Sequence, residues 1–250
     1  MTKENRDKYL KQRWNVSKAV CKIVCLLLVP CISYLLFEYV TGNLATVSVS
    51  MAVLNIAWMY VLYLMLFAVS GTTRAAVPVV SVFLLVLSLA EAFVVAFRDR
   101  PILLWDAMAF KTAMTVSGNY TFVITQEMKI ACVCVILMNI ALWFMPFRIR
   151  GWKLRLAAGA GTAVAIGGFA AWFFTSLVPG WGLGINMWAV NDTYKEYGYV
   201  LSTAVSLQYM VKKPPQGYST AKLKEIHDRL EEEEHCLLYT SPSPRDYAAS

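Results

Sequence analysis

Five long apolar stretches, at residues 20–40, 47–69, 75–97, 130–147 and 156–178, are separated by polar linkers and followed by a polar tail. No other feature constrains the fold as strongly. About 20 apolar residues, rising about 1.5 Å each, cross the roughly 30 Å hydrocarbon core as a helix. Hydrophobic residues make up 58% of the chain and charged residues 16%, with a mean hydropathy of +0.52; these values exclude an ordinary soluble globule. The expected fold class is an all-α membrane protein of five transmembrane helices.

The formal net charge of +7 raises the question of nucleic acid, but the basic residues crowd beside the apolar stretches and form no aromatic-interleaved patch. Topology accounts for them. Lys3, Arg6, Lys8, Lys11, Arg13 and Lys18 precede the first span, Arg74 lies in the second linker, and Arg148, Arg150, Lys153 and Arg155 lie in the fourth. By the positive-inside rule these segments are cytoplasmic. The first linker, Thr41 to Thr46, carries no charge, and the third, residues 98–129, nearly balances its charges. Those two are expected outside. The resulting organisation is a cytoplasmic basic segment at 1–19, a membrane domain at 20–178 and an extracytoplasmic segment and neck at 179–234. The protein is thus expected in the cell membrane, multi-pass, with its N-terminus inside and its C-terminal tail extracytoplasmic. A cleaved signal peptide is the competing reading of the first span. The length of its apolar run and the lack of a small-x-small site before Thr41 favour a retained anchor.

Cys21, Cys25, Cys31, Cys132 and Cys134 fall in or beside spans, where a small apolar side chain is expected. With no CxxC spacing and only His227 and His235 as imidazoles, no metal site is expected. Glu91 is the notable intramembrane polar residue, since a carboxyl at that depth needs a partner, a proton or water. Arg98, seven positions on, falls on nearly the same helical face. Two readings stand: an ion pair at the membrane edge, or the wall of a polar cavity. Glu38 is expected to be solvated near its interface, and Asn55 and Asn139 to hydrogen-bond between helices. In the fifth span Gly159, Ala163, Gly167 and Ala171 repeat every four residues, a spacing that admits a close helix. A helix of this bundle is the expected partner, with a homo-oligomer through a second copy as the other candidate.

The third linker reads Phe97-Arg98-Asp99-Arg100-Pro101-Ile102-Leu103-Leu104-Trp105-Asp106, continuing to Ser117-Gly118-Asn119-Tyr120. Pro101 is suited to open a helix and Gly118-Asn119 to close it. Leu103, Ala107, Phe110 and Met114 would line one face, giving an outer interfacial helix on lipid or a surface helix packed on the bundle. Arg98 and Arg100, with Asp106 and Lys111, are the candidate lipid-headgroup contacts. Farther on, Trp181, Trp188, Tyr194, Tyr197 and Tyr199 suit the headgroup level. Pro214-Pro215 imposes an extended break, and Ser219 caps a helix in which Leu223, Ile226 and Leu230 recur at helical spacing.

The Arg-x-x-Pro, Trp-Asp and Gly-Asn-Tyr elements of this loop, with Tyr194-Lys195-Glu196-Tyr197-Gly198-Tyr199 and Lys213-Pro214-Pro215-Gln216-Gly217-Tyr218-Ser219, resemble the membrane portion of the lipoteichoic acid synthase family. That family comprises phosphoglycerol transferases of the alkaline phosphatase and sulfatase superfamily. The resemblance implies transfer of glycerol phosphate from phosphatidylglycerol to a cell-envelope polymer or glycan. The transfer would be performed by an extracytoplasmic α/β domain with a threonine nucleophile and a divalent metal, often manganese. Thr193, Thr203, Thr220 and Thr240 sit in no recognisable ligand set, so no catalytic residue is assigned and no cofactor is expected in this chain. The stretch from Cys236 to Asp246 resembles translated transposase adapter DNA, and residues 235–250 are therefore left out of the fold. The expectation is a membrane-anchor domain truncated before its catalytic domain. Its partners would be membrane lipids, phosphatidylglycerol foremost, and no nucleic acid. A non-enzymatic polytopic scaffold or lipid-handling protein is the alternative.

Overall fold

The computed structural model describes residues 3–109, 115, 123–210 and 219–232. Among them the regular structure is helical, and the single extended pairing is an isolated antiparallel bridge between Thr72 and Arg148. The long helices are α1 (Lys3–Thr41), α2 (Val49–Ser70), α3 (Thr73–Arg98), α4 (Gln126–Trp143) and α5 (Trp152–Trp172). A π-helical turn, Phe173–Leu177, and a last turn, Val178–Gly180, prolong α5. Among the described residues, five segments are long and apolar enough to cross a membrane: Ala19–Thr41, Val49–Ser70, Thr73–Arg98, Gln126–Trp143 and Trp152–Gly180. The chain is an all-α membrane protein.

Local chemistry sets these boundaries. The hydroxyls of Ser48, Thr72 and Thr125 accept from the backbone N–H of Met51, Arg74 and Met128, capping α2, α3 and α4. Gly71 ends α2 in the left-handed region at φ 68° and donates to the Phe67 carbonyl. Thr125 starts the fourth span at Gln126, four residues before the apolar run begins. Past Trp143 the chain leaves the helix: Phe147 exchanges hydrogen bonds with Thr73, and Ile149 donates to the Gly71 carbonyl at 3.1 Å. The two basic linkers are thereby tied together at one end of the bundle, called here the basic end.

Helix α3 packs against α1, α2 and α4, whereas α5 rests chiefly on α2. The α2–α5 seam is aromatic, with the Trp58 ring 5.3 Å from Phe169 and 5.1 Å from Phe173 in edge-to-face geometry. These rings hold α5 by the face opposite its small residues. Ala163, Gly167 and Ala171 are exposed, Gly159 is half-buried, and a Cβ added at Gly159 or Gly167 would meet nothing within 4 Å. The expectation that a helix of this bundle covers that stripe is therefore incorrect.

Between α3 and α4 the Asn139 amide donates to Ser81 Oγ at 2.9 Å, the interhelical hydrogen bond anticipated for Asn139. Two further helices, α6 (Val190–Tyr197) and α7 (Tyr199–Ser206), pack on α2 at the end opposite the basic linkers. Residues through Met210 form one compact unit with the spans. The stretch 191–210, expected as an interfacial segment ahead of the neck, lies in that same unit. The second unit contains α8 (Thr220–Glu232), capped as anticipated by Ser219, whose Oγ accepts from Lys222 N at 3.1 Å.

An Asn139→Ala, Ser81→Ala double-mutant cycle is expected to show a coupling of about 0.5–1.5 kcal/mol. Unfolding of the purified chain in mixed micelles measures it; additive single-mutant effects would remove the bond's contribution.

A buried polar clamp as candidate functional site

The densest polar site lies where α1 ends, α2 begins and the chain returns after the fifth span. Glu38 and Asn55, in the first turns from that end, are both 0% exposed. Between α6 and α7 the backbone reverses at Gly198, with φ +83°, leaving the carbonyls of one helix and the N–H groups of the next without helical partners. The two side chains supply them. Glu38 Oε1 accepts from Tyr199 N at 2.9 Å, and Asn55 Oδ1 accepts from Leu201 N at 2.8 Å. The Asn55 amide donates to the Tyr197 carbonyl at 2.6 Å. Thr46, in the first linker, donates to the Lys195 carbonyl at 2.8 Å.

Only glycine fits at the reversal. A Cβ on residue 198 would stand 2.8 Å from both Asn55 Nδ2 and Glu38 Oε1, in a conformation L side chains rarely adopt. Glu38 is thus not solvated, as its place near the span terminus suggests, because the α6–α7 reversal covers it. Asn55 bonds across elements as anticipated, but to the returning segment. Tyr194 and Tyr199, expected at the headgroup level, are 2% and 4% exposed. The Tyr199 ring stacks on Phe37 at 5.0 Å and meets Tyr194 edge-on at 5.5 Å. Burial pushes the Tyr194 hydroxyl up to about 12, and burial followed by the nearby Glu91 carboxyl raises Tyr199 further. Both phenols therefore stay neutral at physiological pH. Trp181 and Trp188 are exposed.

The clamp continues into the third linker. Tyr199 donates its hydroxyl proton to the Ile102 carbonyl at 3.2 Å, and the Ile102 N–H donates to Glu91 Oε2 at 2.8 Å. Glu91, 3% exposed, accordingly anchors loop backbone, and among the described residues no ion pair joins it to Arg98. Arg98 and Arg100 reach Asp106, at 3.8 Å and 3.4 Å. The second Asp106 oxygen also accepts from Leu103 N at 3.1 Å, fixing the start of a 3₁₀ helix at Leu104–Ala109. The helix expected to begin at Pro101 begins three residues later, since Pro101 and Leu103 are buried in the bundle. Lys111, Phe110, Met114 and the segment Ser117 to Tyr120 lie outside the described residues, as do 211–218 and 233–250.

Two guanidinium groups thus face one carboxylate, with Arg98 and Arg100 side chains 52% and 42% exposed. With Asp99 also exposed, residues 98–106 carry no net charge, and what the loop presents is guanidinium N–H groups beside carboxylates. Among the described residues no three His, Cys, Asp or Glu side chains converge as metal ligands. Of the functional residues, Glu38, Gly198 and Tyr199 escaped sequence reasoning as a group. The available signal was Tyr197-Gly198-Tyr199, a glycine flanked by large aromatics between two short helical stretches.

Gly198→Ala is expected to cost at least about 2 kcal/mol, from left-handed strain added to the clash with Asn55 and Glu38. Amide exchange over 199–206 should accelerate while the spans stay protected; unchanged protection would contradict the clamp. Glu38→Leu should cost about 1–3 kcal/mol by orphaning Tyr199 N–H, and Glu38→Gln, which keeps an acceptor, should cost less in the same measurement. No protein-family model matches this chain, and no functionally described protein or solved structure is significantly similar to it.

Proposed function

We propose that this chain is a membrane anchor that positions an extramembrane enzymatic domain, in the manner of a lipoteichoic acid synthase-like phosphoglycerol transferase. The observation that carries this reading is the grip of Glu38 and Asn55 on the Gly198 reversal. It fixes the chain after the fifth span rigidly against the bundle, and Glu91 fixes the charged loop beside it. A segment that only trailed from the last span would not need buried partners from three elements.

In this reading the basic end is cytoplasmic and the clamp end faces outward in the cell membrane. Arg98 and Arg100 offer anionic headgroups, phosphatidylglycerol among them, a cationic contact beside the anchored segment. The transfer chemistry, with its threonine nucleophile and divalent metal, would belong to the attached domain. The chain supplies anchoring and lipid presentation.

Two measurements test the proposal. The purified chain in phosphatidylglycerol-containing liposomes is expected to release no glycerol phosphate, whereas the same membrane unit joined to its enzymatic domain transfers it; turnover by the chain alone would overturn the assignment. Arg98→Ala with Arg100→Ala should weaken phosphatidylglycerol association by up to about thirtyfold, at roughly 1 kcal/mol per cation near a membrane surface. Unchanged lipid binding would end the presentation role.

A further inference from the structure

At the basic end, α1, α2 and α3 enclose a groove of about 380 Å³, lined by Leu26, Pro30, Leu64, Phe67, Val77 and Phe147 among others. A volume in the range of about 300–1,000 Å³ is that of small-ligand sites. The hydroxyls on its wall are already engaged. Tyr60 donates to the Leu27 carbonyl, Tyr63 bonds Ser33 Oγ at 2.6 Å, and Thr73 Oγ1 accepts from Phe147 N at 2.8 Å. What remains for an occupant is hydrocarbon surface.

The end of the groove near the linkers is cationic. Lys22 shares a helical face with Leu26; its ammonium donates to the Pro146 carbonyl and lies 5.9 Å from the Phe147 ring centroid. An ammonium has three N–H donors, so two remain. Arg74 follows the lining residue Thr73, is exposed, and stacks over Trp143 at 5.4 Å. Arg148 follows the lining residue Phe147 and is also exposed. Neither basic linker, 70–74 or 144–155, contains a carboxylate. A helix about 10 Å across does not enter this volume, while one hydrocarbon chain does.

We propose that the groove is a binding site for an anionic phospholipid of the leaflet at the basic end. One acyl chain lies along Leu26, Pro30 and Val77, and the phosphate is held by Lys22, with Arg74, whose Nε donates to the Trp143 carbonyl, and Arg148 adding positive charge at that end. The site is at the opposite end of the bundle from Arg98 and Arg100, so it stands or falls independently of the anchoring function.

Native mass spectrometry of the full chain, titrated with dioleoylphosphatidylglycerol or dioleoylphosphatidylcholine, tests the site. The expected result is retention of one anionic lipid with about a tenfold preference over the zwitterionic one. Lys22→Gln with Arg74→Gln should cut that preference at least about fivefold. The lysine replacement keeps an N–H donor for Pro146, and helicity by circular dichroism monitors folding. Leu64→Trp, on an exposed position of the wall, should lower retention by filling the groove without altering charge; Ile23→Trp repeats the test on α1. The one-lipid count is read in the Arg98→Ala, Arg100→Ala background, which removes the headgroup contact proposed at the other end; loss of the lipid in that background would also overturn the proposal. Equal retention of both lipids would mean bulk annular lipid only. Full retention by both tryptophan variants would mean headgroup adsorption without an acyl site. Either result overturns the proposal.

Discussion

The hydrogen bond from Tyr199 N–H to the buried Glu38 carboxyl, paired with the Asn55 contacts on either side of Gly198, is the interaction on which the clamp end depends. Two structural liabilities cancel there. A carboxyl and an amide inside apolar helices each need polar partners. A break between two short helices leaves backbone groups that need the same. Bringing the break to the side chains satisfies both, and an amide left unpaired in such a place costs about 1–3 kcal/mol. The contacts must therefore form and open together, which makes the α6–α7 segment a rigid extension of α1 and α2.

Rigidity spreads from this point through Tyr199. Its N–H bonds α1 and its hydroxyl bonds the Ile102 carbonyl, while the N–H of the same residue bonds Glu91 of α3. Three elements distant in sequence are linked through one tyrosine and one loop residue. Asp99 adds a side contact, accepting from the Asn191 amide at 3.2 Å. The cations of the loop consequently occupy fixed positions relative to the chain leaving the fifth span. Fixed geometry is what the anchoring role proposed above requires.

The spans were legible because hydrophobic length is a property of contiguous residues, and Asn139 because an amide in mid-span has few options. Glu38 was not. Its distance from the helix end suggested solvation, but its partner lies 161 positions away, and no local pattern encodes that the chain returns. Leu103 packs into the bundle, one of two alternatives open from the sequence, since an apolar face on a surface loop looks alike whether it meets lipid or protein. The stripe from Gly159 to Ala171 shows the limit of spacing arguments. Small residues permit close approach, yet the bulky Trp58, Phe169 and Phe173 on the other face decide where α5 sits.

The two ends of the bundle are held by different means, and the difference has a physical cause. At the clamp end, α5 is seated by aromatic edges and its last buried residues, Phe173, Leu177 and Val178. From Trp152 to Trp172 it buries no residue fully, and toward the basic end a groove of about 580 Å³ separates Ala158 and Gly161 from Ala57 and Leu64. With lipid tails as apolar as leucine, nothing in the bilayer drives these helices together except packing and hydrogen bonds. The basic end has the Thr73–Phe147 exchange, cationic side chains reaching backbone carbonyls and the Tyr60 hydrogen bond from α2 to the Leu27 carbonyl of α1, with an apolar groove on either side of Tyr60 and Leu64. Buried carboxyls and amides thus tie the clamp end together, and the opposite end leaves more of its apolar wall exposed.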